Sequence, residues 1–245
     1  MTDKKIIVCG SNILLSRIIP FLEEVESCNL ILISCNNNES FDFKNSVIYV
    51  ENQKQAENII RKVYKSDNDF LISAYWPWKF TVDIVGLFQN ISINFHPSPL
   101  PKDRGWYPHV HQIRNNTVSG VTLHKISEEL DQGEIWVQKI LKLPFLITSG
   151  QAYEILQDEI VSLFIENWIE IRDNKIKPSK QAGRSNFLSK YLIETPEILE
   201  LDQDGERLIR LLSSRNIKDR SFIKIKGKDG QEKYVHIKFS EDGIN

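Results

Sequence analysis

The sequence has no apolar run approaching the roughly 20 residues that a membrane-spanning helix needs, and no excess of charge of one sign. Its formal net charge is −2 over 245 residues. The first absence argues against a helical membrane anchor. The second removes the electrostatic case for nucleic acid as a partner. Cysteine is scarce: Cys9, Cys28 and Cys35 are odd in number and have no paired ligand spacing. That pattern excludes a disulfide framework and a zinc module, so no metal is expected and the three thiols read as small core residues in a reducing compartment. Glycine is sparse where a dinucleotide loop would need it. Gly10-Ser11-Asn12 carries one glycine after the first strand-like run, against three in the fingerprint. No internal repeat and no low-complexity tract is present. The segment Met1 to Val8 leads straight into a strand-like run without the form of a signal peptide, so the expected location is the cytoplasm.

What is there is ordinary for a soluble globular protein, with 41% hydrophobic and 26% charged residues. Short β-branched runs alternate with amphipathic stretches. Strands are expected at 5–9, 30–35, 47–50, 69–74 and around 91–96, and helices at 13–25, 53–64 and 81–88. This alternation predicts an α/β fold with a mostly parallel sheet and helices on both faces. Two further strands are expected at 120–126 and 134–141, and a long helix at 149–171 with Thr148 or Ser149 as its cap. Residues 175–189 are polar, with Pro178 and Gly183, and read as a linker or surface loop. A short helical segment at 208–212 precedes runs at 222–226 and 233–239 that alternate around Lys228-Asp229-Gly230-Gln231, a hairpin signal. The expected organisation is a catalytic domain at 1–180 and a C-terminal extension with a small β-hairpin at 181–245.

The chemistry concentrates in Ile93-Asn94-Phe95-His96-Pro97-Ser98-Pro99-Leu100-Pro101. Asn94 and His96 are two apart, so on a strand they project from one face, while Ile91, Ile93 and Phe95 form the other. The prolines end the strand and stiffen the loop after it. Open α/β sheets build sites at strand ends of this kind. Asn94 offers N–H donors for a developing oxyanion. A free imidazole titrates at about 6.5, so His96 suits proton transfer near neutrality. On composition alone Asp131, in Leu130-Asp131-Gln132-Gly133, is a surface turn acid. Gly10-Ser11-Asn12 fits either a backbone contact to a ligand or an ordinary strand-to-helix turn. Trp76, Trp78, Trp106 and Tyr107 lie beside prolines in loops, which suits a flat ligand, and Lys79 and Arg104 supply charge for a phosphate. His109 and His111 suit ligand contact better than metal binding, His124 has no zinc-type spacing, and His236 reads as structural.

Taken together, Asn94 to Pro101, Arg104-Gly105, Gly120-Val121-Thr122-Leu123-His124 and Leu130-Asp131-Gln132-Gly133-Glu134-Ile135 resemble the 10-formyltetrahydrofolate-dependent formyltransferases. That family includes enzymes acting on methionyl-tRNA, on glycinamide ribonucleotide and on amino sugars. The resemblance covers about residues 1 to 175 in architecture and implies a Rossmann-like formyltransferase domain. Trp76-Pro77-Trp78-Lys79 and Arg104 to His109 look like the sugar N-formyltransferase branch. Ser98-Pro99-Leu100-Pro101 departs from the family's usual Ser-Leu-Leu-Pro.

The resemblance implies a catalytic trio of Asn94, His96 and Asp131, which reverses the compositional reading of Asp131. It implies N10-formyltetrahydrofolate as co-substrate, held by Trp78, Phe80, Leu130, Asp131 and Gly133. A dTDP-linked amino sugar would be held by Gly10, Ser11, Asn12, Lys79, Arg104, Trp106, Tyr107, His109 and Phe222. Phe222 reads equally as hairpin core. His96 could act as base or as oxyanion donor. The further implications are a cytoplasmic enzyme, a homodimer, that serves surface-glycan synthesis such as O-antigen; the 222–239 hairpin, which should pack on the main domain or on a second subunit, is the expected dimer contact. The position of the sugar amine is open between carbons 3 and 4, with a lean to dTDP-4-amino-4,6-dideoxyglucose. Rival readings are glycinamide ribonucleotide formyltransferase, formyltetrahydrofolate hydrolase, and a non-catalytic folate or nucleotide-sugar binder.

Overall fold

A computed structural model describes residues 4–26, 29–35, 42–190, 197–198, 204–217, 220–226 and 230–239. Cys28 and the hairpin-turn residues Lys228 and Asp229 lie outside the described residues, as does the side chain of Asn12. In chain order the elements are β1 (Lys5–Gly10), α1 (Asn12–Val25), β2 (Asn29–Ser34), β3 (Val47–Tyr49), α2 (Gln53–Val63), β4 (Phe70–Ala74), α3 (Val82–Leu87) and β5 (Ser92–His96). They continue with β6 (Arg104–Gly105), α4 (Pro108–Asn115), β7 (Ser119–His124), β8 (Ile135–Leu141), α5 (Ser149–Arg172) and β9 (Phe187–Leu188). The last are β10 (Glu197–Ile198), α6 (Gly205–Ser214), β11 (Asn216–Ile217), β12 (Arg220–Ser221), β13 (Ile223–Lys226) and β14 (Glu232–Tyr234).

The main sheet has seven strands in the order β3-β2-β1-β4-β5-β7-β8. Its first five pair in parallel, and β7 joins β5 antiparallel. The sheet is therefore mostly parallel, as the alternating pattern predicts. The central strands KIIVCG and FLISA are buried along nearly their whole length, as strands covered on both faces must be. Strand order reverses direction between β1 and β4, the place where such sheets open a crevice at their carboxyl ends.

The chain divides into two compact units, each assembled from several segments. The first comprises residues 1–96, 122–138 and 159–182; the second comprises 97–121, 139–158 and 183–245.

In the first unit, α5 seals one face of β5. Phe95 packs on Phe164 with ring centroids 5.1 Å apart, and Trp168 lies on Phe70 at 5.2 Å. Trp168 is fully buried, and its indole N–H donates to Glu26 Oε1 at 2.6 Å, with Arg172 on the same oxygen at 2.9 Å. Each such aromatic contributes about 2–3 kcal/mol by burial, which fixes β5 by its apolar face and turns Asn94 and His96 the other way.

In the second unit, α4 begins at Pro108 behind Tyr107, which holds a left-handed φ of 53°. Thr148 caps α5: its Oγ1 accepts from the Gln151 amide, and Gln151 Oε1 accepts from the Thr148 amide, a reciprocal capping box. Asp103 and Asn186 exchange hydrogen bonds at 2.8 Å, and β6 pairs with β9 beside them. Strands β13 and β14 form the expected hairpin, with Val235 N–H donating to Ile223 carbonyl beyond it. The stretch 175–189 is more than a linker. It supplies β9, the Asn186 pair, and a bridge from Ser179 to Ile135.

Candidate active site

Strands β1, β4 and β5 run parallel and end at one edge, so Gly10, Ala74 and His96 terminate adjacent strands there. Gly10 is required by closeness: a Cβ on it would lie 2.9 Å from the Ala74 carbonyl and from Leu15. Ser11 N–H donates to the same carbonyl at 3.2 Å. Lys79 is exposed just after β4, while Trp78 and Phe80 pack with Trp76 against the core of this unit. Phe80 is 6% exposed, so its ring shapes the wall rather than a free surface.

Asn94 and His96 share a face of β5, and the antiparallel register sets His124 directly opposite Asn94 and Thr122 opposite His96. After β7, a loop returns Asp131 to the same point. It is pinned by Ile126 N–H to Ser92 Oγ at 3.0 Å and by Lys125 N–H to Glu134 carbonyl at 2.8 Å. Gln181 adds a clamp: its side-chain amide donates to the carbonyls of both Asp131 and Gly133 at 2.8 Å. Gly133 sits so tightly on the Lys125 carbonyl that no side chain fits. Asp131 itself has a φ of 55°, a left-handed conformation that costs a non-glycine residue of order 1 kcal/mol or more.

The result is a buried polar cluster. Asp131 Oδ2 faces His96 Nδ1 at 3.6 Å, and Asp131 Oδ1 lies 3.4 Å from Asn94 Nδ2 and 3.7 Å from His124 Nε2. Asn94 Nδ2 lies 3.0 Å from His124 Nε2, and His124 Nδ1 lies 2.8 Å from the Lys125 carbonyl. His96, His124 and Asp131 are each at most 6% exposed. An amide, an imidazole and a carboxylate thus meet at one point at the carboxyl ends of a parallel sheet. Among the described residues, no His/Cys/Asp/Glu group is arranged to hold a metal ion.

Of the other residues singled out from sequence, Leu130 is exposed at 38% on the loop beside Asp131. Arg104, Trp106, Tyr107, His109 and Phe222 belong to the second unit. There Lys190 Nζ lies over the Trp106 ring at 5.0 Å. His109 is buried between Tyr107 and Tyr153, and burial pushes its pKa down to about 3. Its Nδ1 has no hydrogen-bond partner among the described residues. Phe222 is half-buried between β12 and β13. The sequence reading missed two members of the cluster, His124 and Gln181. His124 carried a signal in its even spacing along β7; Gln181 carried none.

A family model described as formyl transferase matches residues 28–167, more than half of the chain. The chain belongs to the formyl transferase family. Over 141 residues it is 29% identical to the dTDP-4-amino-4,6-dideoxyglucose formyltransferase of Mycobacterium bovis, a match covering 56% of this chain and 60% of that relative's length. In structure it resembles a 4-N formyltransferase from Francisella tularensis, with a TM-score of 0.84 at 21% identity over 99% of this chain and 100% of the other. It also resembles the N-formyltransferase of Helicobacter canadensis in complex with folinic acid and dTDP-3-aminofucose, with a TM-score of 0.70 at 21% identity over 86% and 80%. These likenesses establish the Rossmann-like formyltransferase fold.

Proposed function

We propose that the protein transfers the formyl group of N10-formyltetrahydrofolate to the amino group of a dTDP-linked amino-dideoxy sugar. The observation that carries this reading is the convergence of Asn94, His96 and Asp131 in one buried cluster of a formyl transferase domain. The mycobacterial relative's substrate and the ligands of the Helicobacter structure support the choice of acceptor and donor.

The neutral sugar amine attacks the formyl carbon, a new C–N bond forms, and charge collects on the formyl oxygen. Asn94 supplies an N–H to that oxygen. His96 takes the proton that the amine loses and returns it to N10 as the formyl carbon–N10 bond breaks, releasing tetrahydrofolate. Asp131, facing Nδ1, orients the ring and offsets its transient charge. Within the first unit, the pterin meets the loop ending at Gly133, with Leu130 and Trp78 beside it. Gly10, Ser11 and Lys79 take the nucleotide-sugar side. In the second unit, Arg104, Trp106, Tyr107, His109 and Phe222 are assigned as nucleotide-sugar contacts.

The favoured acceptor is dTDP-4-amino-4,6-dideoxyglucose, the substrate named for the mycobacterial relative. The enzyme works in the cytoplasm on this small molecule, with no nucleic-acid or membrane partner, and its product serves surface-glycan assembly such as O-antigen. Among the described residues no helix is long and apolar enough to cross a membrane. A panel of dTDP-sugars with the amine on carbon 3 or carbon 4, assayed with N10-formyltetrahydrofolate, tests the reading. Turnover on the 4-amino sugar is expected. Turnover confined to glycinamide ribonucleotide, or to water, would replace it with one of the rival enzymes. We further propose a homodimer through the β13–β14 hairpin, where Tyr234 is 54% exposed. Light scattering at micromolar concentration should give twice the mass of 28.5 kDa; a monomer contradicts it.

A further inference from the structure

We propose that His124 is the positioning residue that sets which way the Asn94 amide points, and so decides that the site offers an N–H rather than a carbonyl oxygen to the reacting group. The inference rests on the formyl-transfer reading above and adds a residue that the reading does not use.

Hydrogen-bond polarity sets the orientation of the amide. His124 Nδ1 lies 2.8 Å from the backbone carbonyl of Lys125, which can only accept. Nδ1 must therefore carry a proton, and in the neutral ring Nε2 is then an acceptor. Its neighbour at 3.0 Å is the side-chain amide of Asn94, which must turn its NH2 group toward it. Asp131 Oδ1, also an acceptor, lies 3.4 Å from the same nitrogen. Reversing the amide would set its oxygen against both the Nε2 lone pair and the carboxylate. Two acceptors thus fix one donor group.

The two N–H bonds are unequal. The one to His124, at 3.0 Å, has an ordinary length; the one to Asp131, at 3.4 Å, is near the limit of a useful hydrogen bond. Because the NH2 group is planar, holding the first N–H on His124 fixes the direction of the second, and that second N–H, only weakly engaged by Asp131 Oδ1, is the one left to the developing oxyanion. With Nε2 removed, the amide can rotate its oxygen toward that charge and repel it. His124 is 1% exposed and sits opposite Asn94 in the β5–β7 register, so its ring has little freedom to take another pose.

The test combines a spectroscopic readout with two substitutions of similar volume. Imidazole nitrogen shifts of wild-type protein should show His124 neutral with its proton on Nδ1. A proton on Nε2, alone or in an imidazolium, would overturn the proposal whatever the activity. His124→Gln keeps an acceptor near the Nε2 position; His124→Asn keeps a donor near Nδ1 but loses that acceptor. His124→Asn should lose roughly 100-fold in kcat, on the scale of one oxyanion donor, with KM for the folate changed by less than about threefold. His124→Gln should recover most of that loss, and adding Asn94→Ala to His124→Asn should cost no more than Asn94→Ala alone. Equal losses in both variants, or additive losses in the double variant, mean that the ring is a packing element only. If wild type transfers formyl to no amino sugar yet shows the Nδ1–H ring, the functional reading fails while the positioning role stands.

Discussion

His109 is the residue whose environment changes its chemistry most plainly. Burial holds it neutral, with a pKa pushed down to about 3, whereas the same side chain in an unfolded chain titrates near 6.5. Between those values the unfolded state binds a proton that the folded state does not. Its contribution to stability is therefore complete above about pH 6.5 and is lost as pH falls toward 3. His109→Phe removes the titration and fills the space beside Tyr107 and Tyr153. Calorimetry from about pH 7 to about pH 4 should show a shallower fall in melting temperature for the variant than for wild type; parallel curves would contradict the assignment. Legibility at this scale followed local geometry. Asn94 and His96 could be read because a strand's period of two places them together. Asp131 needed the family resemblance, because nothing local separates it from a turn acid. His124 stayed hidden because its place beside Asn94 arises from a register across two strands far apart in sequence.

The loop between β7 and β8 is where element and chemistry meet. Its conformation is held from outside by Gln181, which donates to the carbonyls on either side of Gln132. Gln181→Ala removes both bonds and leaves two carbonyls to find water. We expect a loss of about 1–2 kcal/mol in stability. We also expect kcat to fall about tenfold or more, since small displacements of a catalytic group are costly. Hydrogen exchange should quicken at residues 127–133 before it quickens in β4 or β5. Unchanged exchange and rate would show that the loop holds itself. The β-branched and amphipathic runs revealed β1 to β5, β7, β8 and α5 to within a residue or two, because each repeats its pattern over several turns or alternations. Helix α4 escaped notice: Pro108, His109, His111, Gln112 and Arg114 leave only Val110 and Ile113 as apolar markers. The short pairs β6–β9 and β11–β12 hold two residues per strand, too few for any periodicity. The polar stretch 175–189 looked like a linker because its work is done through Ser179, Gln181 and Asn186, whose partners lie far off in sequence.

At the scale of the whole molecule, the chain leaves the first unit at Pro97, re-enters at Thr122, leaves at Lys139 and returns at Glu159. The crossing at Pro97 coincides with the proline loop after β5, but the other three carry no break in composition, since strands β7 and β8 and helix α5 run through them without interruption. All three proposed catalytic side chains nevertheless fall in one unit, so the chemistry is assembled by a single sheet and the loop returning to it. In the proposed mechanism His96, oriented by Asp131, moves the proton that lets an amine take the formyl group. The most direct measurement is the rate of formyl transfer to the dTDP-4-amino sugar by wild type beside His96→Ala, with folate binding measured in parallel. A kcat at least about 100-fold lower is expected in the variant, on the scale of general acid–base catalysis, with folate affinity kept within a few fold. A variant that transfers formyl at nearly the wild-type rate, with folate bound as before, would contradict the mechanism.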